Sequence, residues 1–196
     1  MAIEVVREYL RQWNVENRIV EFPVSSATVE LAARAVGCEP ARIAKTLSFF
    51  IPERTADAGQ AAGDTGRGEH GNENGNGNGN KNVIPAHAVL IVAAGDAKVD
   101  NSKYKHFFHT KATMLHGEQV TELIGHAIGG VCPFGVKEGT EIYLDISLKR
   151  FETVFPAAGS SNSAIEVTME ELERFSGSHA WVDLCKGWQD TSDVQG

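Results

Sequence analysis

Lys45 is the first residue whose type and setting suggest chemistry. It lies between a short helical stretch expected over Pro40–Ala44 and an apolar, strand-like run, Thr46-Leu47-Ser48-Phe49-Phe50-Ile51. Its ammonium therefore emerges either at a sheet edge facing a cleft or along open surface. In a cleft it would anchor a carboxyl, carbonyl or phosphate group. On the surface it is an ordinary lysine with its stem laid against apolar neighbours. A second candidate is the loop Gly129-Gly130-Val131-Cys132-Pro133-Phe134-Gly135. Paired glycines let a backbone approach a ligand and aim N–H groups at an oxyanion, and Pro133 stiffens the turn. It is not a phosphate-binding Walker loop, because no Gly-Lys-Ser/Thr follows, and it lacks the strand–helix setting of a dinucleotide fingerprint.

Cys132 within that loop invites a nucleophile reading with His126 as its base, but no third group orients the pair. A small side chain lining a pocket is the better expectation. His106 and His109 have a metal-like spacing without an obvious carboxylate or cysteine partner, so they are read as surface residues. A second polar loop, Gly159-Ser160-Ser161-Asn162-Ser163, adds amide and hydroxyl groups. Together, these features describe a pocket for a small polar ligand held by backbone and amide groups.

The elements that must position these residues follow from periodicity. Ile3, Val6, Leu10 and Trp13 recur at helical spacing, predicting a helix over 2–14. A short strand is expected at Ile19–Pro23. Ser25 and Ser26 would cap a helix over Thr28–Val36 that Gly37 stops. His87–Ala94 is almost wholly apolar, as a central strand is. Gly95-Asp96 forms a turn. Further on come a helix at Glu118–Leu123 closed by Gly125, a strand at Glu141–Asp145, and a helix over Leu148–Val154 capped by Ser147. A strand at Ala164–Val167 and a helix at Met169–Phe175, entered through a Thr168/Glu171 capping box, complete the series. Helices and strands alternate without a regular βαβ repeat, which predicts an α+β fold around a mixed, strongly curved, barrel-like sheet flanked by helices.

Composition bounds the function. The 196 residues carry a formal net charge of −8, and Gly is high at 20 residues. Much of that glycine falls in Thr55–Asn82, a Gly/Asn-rich stretch with almost nothing to bury; it is expected to be a flexible insertion at a hairpin tip. The acidic balance speaks against broad, non-specific binding to nucleic acid. It leaves room for a local basic face, where Lys98, Lys103, Lys105 and Lys111 gather with His106, His109 and His116. No apolar run spans a membrane, and the N-terminus lacks a secretory pattern. Three scattered cysteines exclude a disulfide scaffold and suit a reducing, cytoplasmic setting.

In order along the chain stand Ala44-Lys45-Thr46-Leu47, the loop Gly129–Gly135, Asp145-Ile146-Ser147-Leu148, the loop Ala157-Ala158-Gly159-Ser160-Ser161-Asn162-Ser163, and Val167-Thr168-Met169-Glu170-Glu171-Leu172. This set resembles the YbaK-type aminoacyl-tRNA editing domain, found as the editing insertion of bacterial prolyl-tRNA synthetases and as free-standing ProX-like deacylases. The resemblance covers residues 1–185 as one domain, interrupted by the 55–82 insertion, and leaves 186–196 as a tail.

What the resemblance implies is hydrolysis of the ester joining a wrong amino acid to the 3′ ribose of tRNA, without metal, cofactor or covalent enzyme intermediate. Lys45 falls on the family's functional lysine, and Gly129 with Pro133 on its Gly-x-x-x-Pro loop. Lys45, Gly129 and Gly130 are thus the expected catalytic groups. Thr46, His126, Val131, Cys132, Pro133, Phe134, Gly135, Gly159 and Asn162 are expected to bind substrate, and Lys98, Lys103, Lys105 and Lys111 to meet tRNA. The implied partners are the acceptor end of a mischarged tRNA and an aminoacyl-tRNA synthetase, with no membrane and no DNA. In members that remove cysteine from prolyl-tRNA, an Arg-Gly and then an Asp occupy the stretch matching Ser161–Ala164; here it reads Ser-Asn-Ser-Ala. That substrate is therefore not carried over. The competing reading is a non-catalytic tRNA- or synthetase-binding module of the same fold.

Overall fold

The computed structural model describes residues 2–55 and 83–189. The chain divides into two compact units, residues 1–51 with 87–196, and residues 52–86. In the smaller unit, Arg54–Thr55 pairs antiparallel with Val83–Ile84; the insertion expected at 55–82 lies almost wholly outside the described residues.

The larger unit is a mixed α+β structure on a six-stranded sheet curled into half a barrel. Its strands are β1 (Ile43–Ile51), β2 (His87–Ala94), β3 (Glu141–Asp145), β4 (Thr153–Pro156), β5 (Val167–Thr168) and β6 (Ala180–Val182), in spatial order β5-β4-β1-β2-β3-β6. β1 and β2 are antiparallel, with Lys45 opposite Ala93 and Thr46 opposite Val92. β2 pairs parallel with β3, and β1 parallel with β4. β2 is buried from Ala88 to Ala94 because both of its faces are covered, which explains its unbroken apolar run. Leu90, Val92 and Ala94 join one core with Ile3, Val6 and Leu10 of α1 (Ala2–Arg11), Val120 of α4 (Glu118–Leu123) and Leu172 and Phe175 of α5 (Met169–Ser176). Val89 and Ile91 face the other way and pack, with Phe49 and Ile51, on Tyr104 and Phe108 of α3 (Asn101–Phe108).

Several elements differ from expectation for local reasons. α1 ends at Arg11 rather than at 14, because Asn14 turns left-handed at φ 57°. The strand expected at 19–23 is only Val20–Glu21, paired with Ser163–Ala164. Thr28, not Ser25 or Ser26, caps α2 (Val29–Val36), its hydroxyl accepting from the Leu31 N–H at 3.2 Å. β1 begins at Ile43, since its first residues pair with Phe155 and Pro156. The expected helix over 148–154 is a 3₁₀ helix at Ile146–Arg150 followed by β4. Its cap is Asp145, which accepts from the Ser147 N–H at 3.0 Å, while the Ser147 hydroxyl accepts from the Ala94 N–H at 3.1 Å. The strand expected over 164–167 splits into Ser163–Ala164 and Val167–Thr168. α3 was not anticipated, although Asp100 caps it and Tyr104 and Phe108 stand at i, i+4.

The Thr168/Glu171 capping box forms as expected, at 3.2 and 3.0 Å. Thr168→Ala should therefore lower stability by about 1 kcal/mol, read as an earlier urea midpoint with an unchanged slope.

Candidate active site

A cleft of about 220 Å³ opens where the first residues of β1 meet α2, β4 and the loop after α4. β1 contributes Ile43 to Thr46, the start of α2 gives Val29 and Ala32, and the loop gives Gly129 and Val131. Phe155, Ala157, Ser163 and Ala164 close the far wall. Most of these side chains are small, so the volume is left for a ligand.

Lys45 is half-buried, and its Nζ donates to the Gly95 carbonyl at 3.0 Å. Burial pulls its pKa below the usual lysine range; Cys185, Asp96 and Glu30 act against that pull, and Lys98 adds to it. Gly95 itself is fixed by crowding: a Cβ there would lie 2.0 Å from the Pro40 carbonyl oxygen and 2.7 Å from a Val29 methyl. The backbone thus passes under the 3₁₀ helix at Pro40–Arg42, and the Gly95 N–H donates to Ala41 O at 3.2 Å. Beside Lys45, the Thr46 Oγ1 is buried and has no hydrogen-bond partner. A buried hydroxyl left unmatched at a cleft is an open position for a ligand's polar group.

The glycine loops divide by role. Gly129 adopts φ +84° and faces the cleft, where a Cβ would come within 3.2 Å of the Ser161 Cβ. Gly130 instead presses backbone to backbone on Gly159–Ser160, with a Cβ only 2.7 Å from the Ser160 Cα. Its N–H donates to Ala127 O at 3.1 Å, so it is committed to the turn and is not an oxyanion donor. Gly135 and Gly159 both lie against α1, the latter with no room for a Cβ before the Ala2 carbonyl at 2.8 Å. Asn162 also faces away from a ligand role: its side chain accepts from Ser160 Oγ at 2.9 Å and donates to Phe22 O at 2.9 Å.

His126, Cys132, Pro133 and Phe134 are buried. The His126 Nδ1 accepts from the Cys132 N–H at 3.2 Å, and burial holds the imidazole below its usual pKa, so the ring is neutral and its basic nitrogen is occupied. Burial pushes the Cys132 thiol up to about 12. The Cys132 Sγ lies 3.8 Å from the same Nδ1, but burial disfavours its thiolate, and the His126 Nε2 is buried without a partner. Of the residues expected at the site, Lys45, Thr46, Gly129 and Val131 are therefore brought to the cleft. Pro133, Phe134, His126, Cys132, Gly130, Gly135, Gly159 and Asn162 do not line it.

Residues 78–175 match the model of the aminoacyl-tRNA editing domain. The uncharacterized protein YwhH of Bacillus subtilis (strain 168) is 48% identical over 189 residues, covering 96% of this chain and all of that protein. This chain belongs to the aminoacyl-tRNA editing domain family. Among solved structures, one described as a proposed trans-editing enzyme for prolyl tRNA synthetase superposes with a TM-score of 0.69 at 27% identity, covering 95% of this chain and 98% of that one. A scaffold protein from work on epitope backbone grafting gives the same TM-score at 25% identity, over 95% and 97% of the two chains.

The editing domain's expected basic face is spread over α3 and its flanks. Lys103 is paired with Asp183 at 2.6 Å, and Lys186 with Asp100 at 3.0 Å. Lys98, Lys105 and Lys111 are exposed, as is Phe107. Gly95 was the site residue sequence reading missed as such; its place in a turn was visible, but its contact with Pro40 was not. Among the described residues no cluster of three or more His, Cys, Asp or Glu is placed to hold a metal, and none of the helices is long and apolar enough to cross a membrane.

The burial pattern predicts thiol reactivity directly. N-ethylmaleimide should modify Cys38 first and alone in the native protein, and reach buried Cys132 and Cys185 only on unfolding, as counted by intact mass.

Proposed function

We propose that this editing domain is a trans-editing aminoacyl-tRNA deacylase that hydrolyses the ester of a mischarged tRNA. The observation that carries the reading is the half-buried Lys45 ammonium at a small cleft, next to the unpartnered Thr46 hydroxyl. With the ester in the cleft, Lys45 stabilises the negative charge that develops on the carbonyl oxygen as water adds to its carbon. The tetrahedral intermediate then expels the ribose oxygen, which takes up a proton, releasing the free amino acid and tRNA. Thr46 offers a hydrogen bond to the polar end of the bound aminoacyl group, and Gly129 lets the backbone approach it.

The attacking group is water, positioned by the cleft and by the substrate's own hydroxyl or amine. The state of Cys132 and His126 supports this assignment, since burial disfavours the thiolate and neither residue lines the cleft. An aminoacyl ester is already activated, so positioning and one placed charge carry much of the acceleration. The small lining residues favour a small amino acid, and exclusion of larger ones follows from volume. The acceptor end of tRNA approaches over Lys98, Lys105 and Lys111, with a synthetase as a further partner that strengthens an otherwise weak encounter.

Deacylation of alanyl-, cysteinyl-, seryl- and threonyl-tRNA tests the reading. Release of one amino acid well above the buffer rate is expected, and Lys45→Ala should reduce it by about 10²–10³-fold. A folded wild type that releases none of the four would favour the binding-module reading for this panel. Because burial lowers the Lys45 pKa, the charged form is lost as pH rises sooner than for a free lysine. The enzyme-dependent rate should fall on the alkaline side accordingly, after subtraction of spontaneous hydrolysis. Lys105→Glu with Lys111→Glu should raise KM with little change in kcat and flatten the salt dependence.

A further inference from the structure

The turn that receives the Lys45 ammonium is gripped at both ends by one 3₁₀ helix, Ile146–Arg150. At one end the Ser147 hydroxyl, fully buried, accepts from the Ala94 N–H at 3.1 Å. At the other, the Arg150 guanidinium holds the Asp96 carboxylate with two bonds, at 2.6 and 3.0 Å. Arg150 also donates to the Ser147 carbonyl at 2.9 Å and to Trp188 O at 3.0 Å, and lies over the Phe151 and Trp188 rings. Behind the helix stands the buried Asp145 carboxylate. One of its oxygens accepts from the Ser147 N–H at 3.0 Å, and the other from Leu184 and Cys185 at 2.8 and 3.1 Å. Between the two grips lies Gly95, whose carbonyl is the Lys45 partner and whose own position is pinned by the Pro40 backbone.

We propose that Ser147, with Asp145 behind it and Arg150 beside it, is a positioning residue that sets where the Lys45 ammonium stands in the cleft. None of the three lines the cleft, so each acts through the Ala94–Asp96 turn. The physical reason is rigidity. A flexible four-carbon side chain holds one position only if its acceptor is fixed; the Gly95 carbonyl is held by its own N–H on Ala41 and by the bonded Ala94 N–H before it. Removing the Ser147 hydroxyl leaves the buried Ala94 N–H without its acceptor, and the turn relaxes to recover one. Arg150 does a second thing: by pairing Asp96, it keeps that carboxylate from drawing Lys45 out of the cleft. The groups that bear on the Lys45 charge are then Asp96, Glu30, Cys185 and Lys98. Because Lys45 is the group assigned to the reaction above, the catalytic consequence rests on that reading; the seating of Lys45 does not.

The test uses the full chain, with Ser147→Ala, the hydroxyl-keeping Ser147→Thr, and Phe175→Leu as a destabilising control in the core under α5. The first readout needs no substrate: the Lys45 side chain is titrated by NMR of its labelled ε-carbon, assigned with Lys45→Arg. Ser147→Ala should move the Lys45 midpoint upward, toward that of a hydrated lysine, and Ser147→Thr should restore it. Phe175→Leu should leave it in place. The second readout is deacylation, where Ser147→Ala should lower kcat by about ten- to a hundredfold with KM nearly unchanged. An unmoved midpoint in Ser147→Ala, or an equal shift in Phe175→Leu, would overturn the proposal. An upward shift in a protein whose wild type deacylates nothing would support the seat and overturn only the editing reading.

Discussion

A charged ammonium held half out of water on a single backbone carbonyl is the constraint around which the site is built. The Lys45–Gly95 contact asks for a strand start, a close-packed turn and a cleft wall in one place. β1 supplies the lysine in register with Ala93, one residue before the end of β2. The chain then bends at Gly95, where only glycine fits beneath Pro40 and Val29. Burial makes the charge more effective toward a ligand and less comfortable without one.

The remaining walls are assembled by close backbone contacts rather than by polar side chains. Gly130 lies on the 159–160 backbone, and Gly159 and Gly135 lie on α1. Asn162 and Ser161 tie the second loop to the segment around Phe22 and Ser26 through bonds of 2.6–2.9 Å. α1 is thus more than a surface helix. Its Ile3, Val6 and Leu10 enter the core, while its backbone and the Tyr9 side chain support the loops that frame the cleft.

Much of this was legible in the sequence, and the parts that were not have identifiable causes. The apolar run His87–Ala94 and the capping box at Thr168 carry their own signals, periodicity and local hydrogen bonding, and both stand where expected. Lys45, Thr46, Gly129 and Val131 could be placed at one site because the resemblance aligned them. Cys132, His126 and Asn162 could not be told from cleft residues, because burial and a bond to a distant backbone leave no trace in composition. Ser147 looked like a helix cap; its hydroxyl is claimed by Ala94, a partner 53 positions away in sequence. α3 was lost among its cations and histidines, although Asp100 and the Tyr104/Phe108 pair mark it in retrospect.

The central claim is that Lys45 addresses the ester carbonyl of an aminoacylated adenosine. The most direct measurement is a crystal structure with an analogue in which an amide replaces that ester. The account predicts the amide oxygen within about 3 Å of the Lys45 Nζ, with the aminoacyl group beside Thr46 and Gly129. An analogue bound with its amide away from Lys45, and the ammonium still on Gly95, would contradict it.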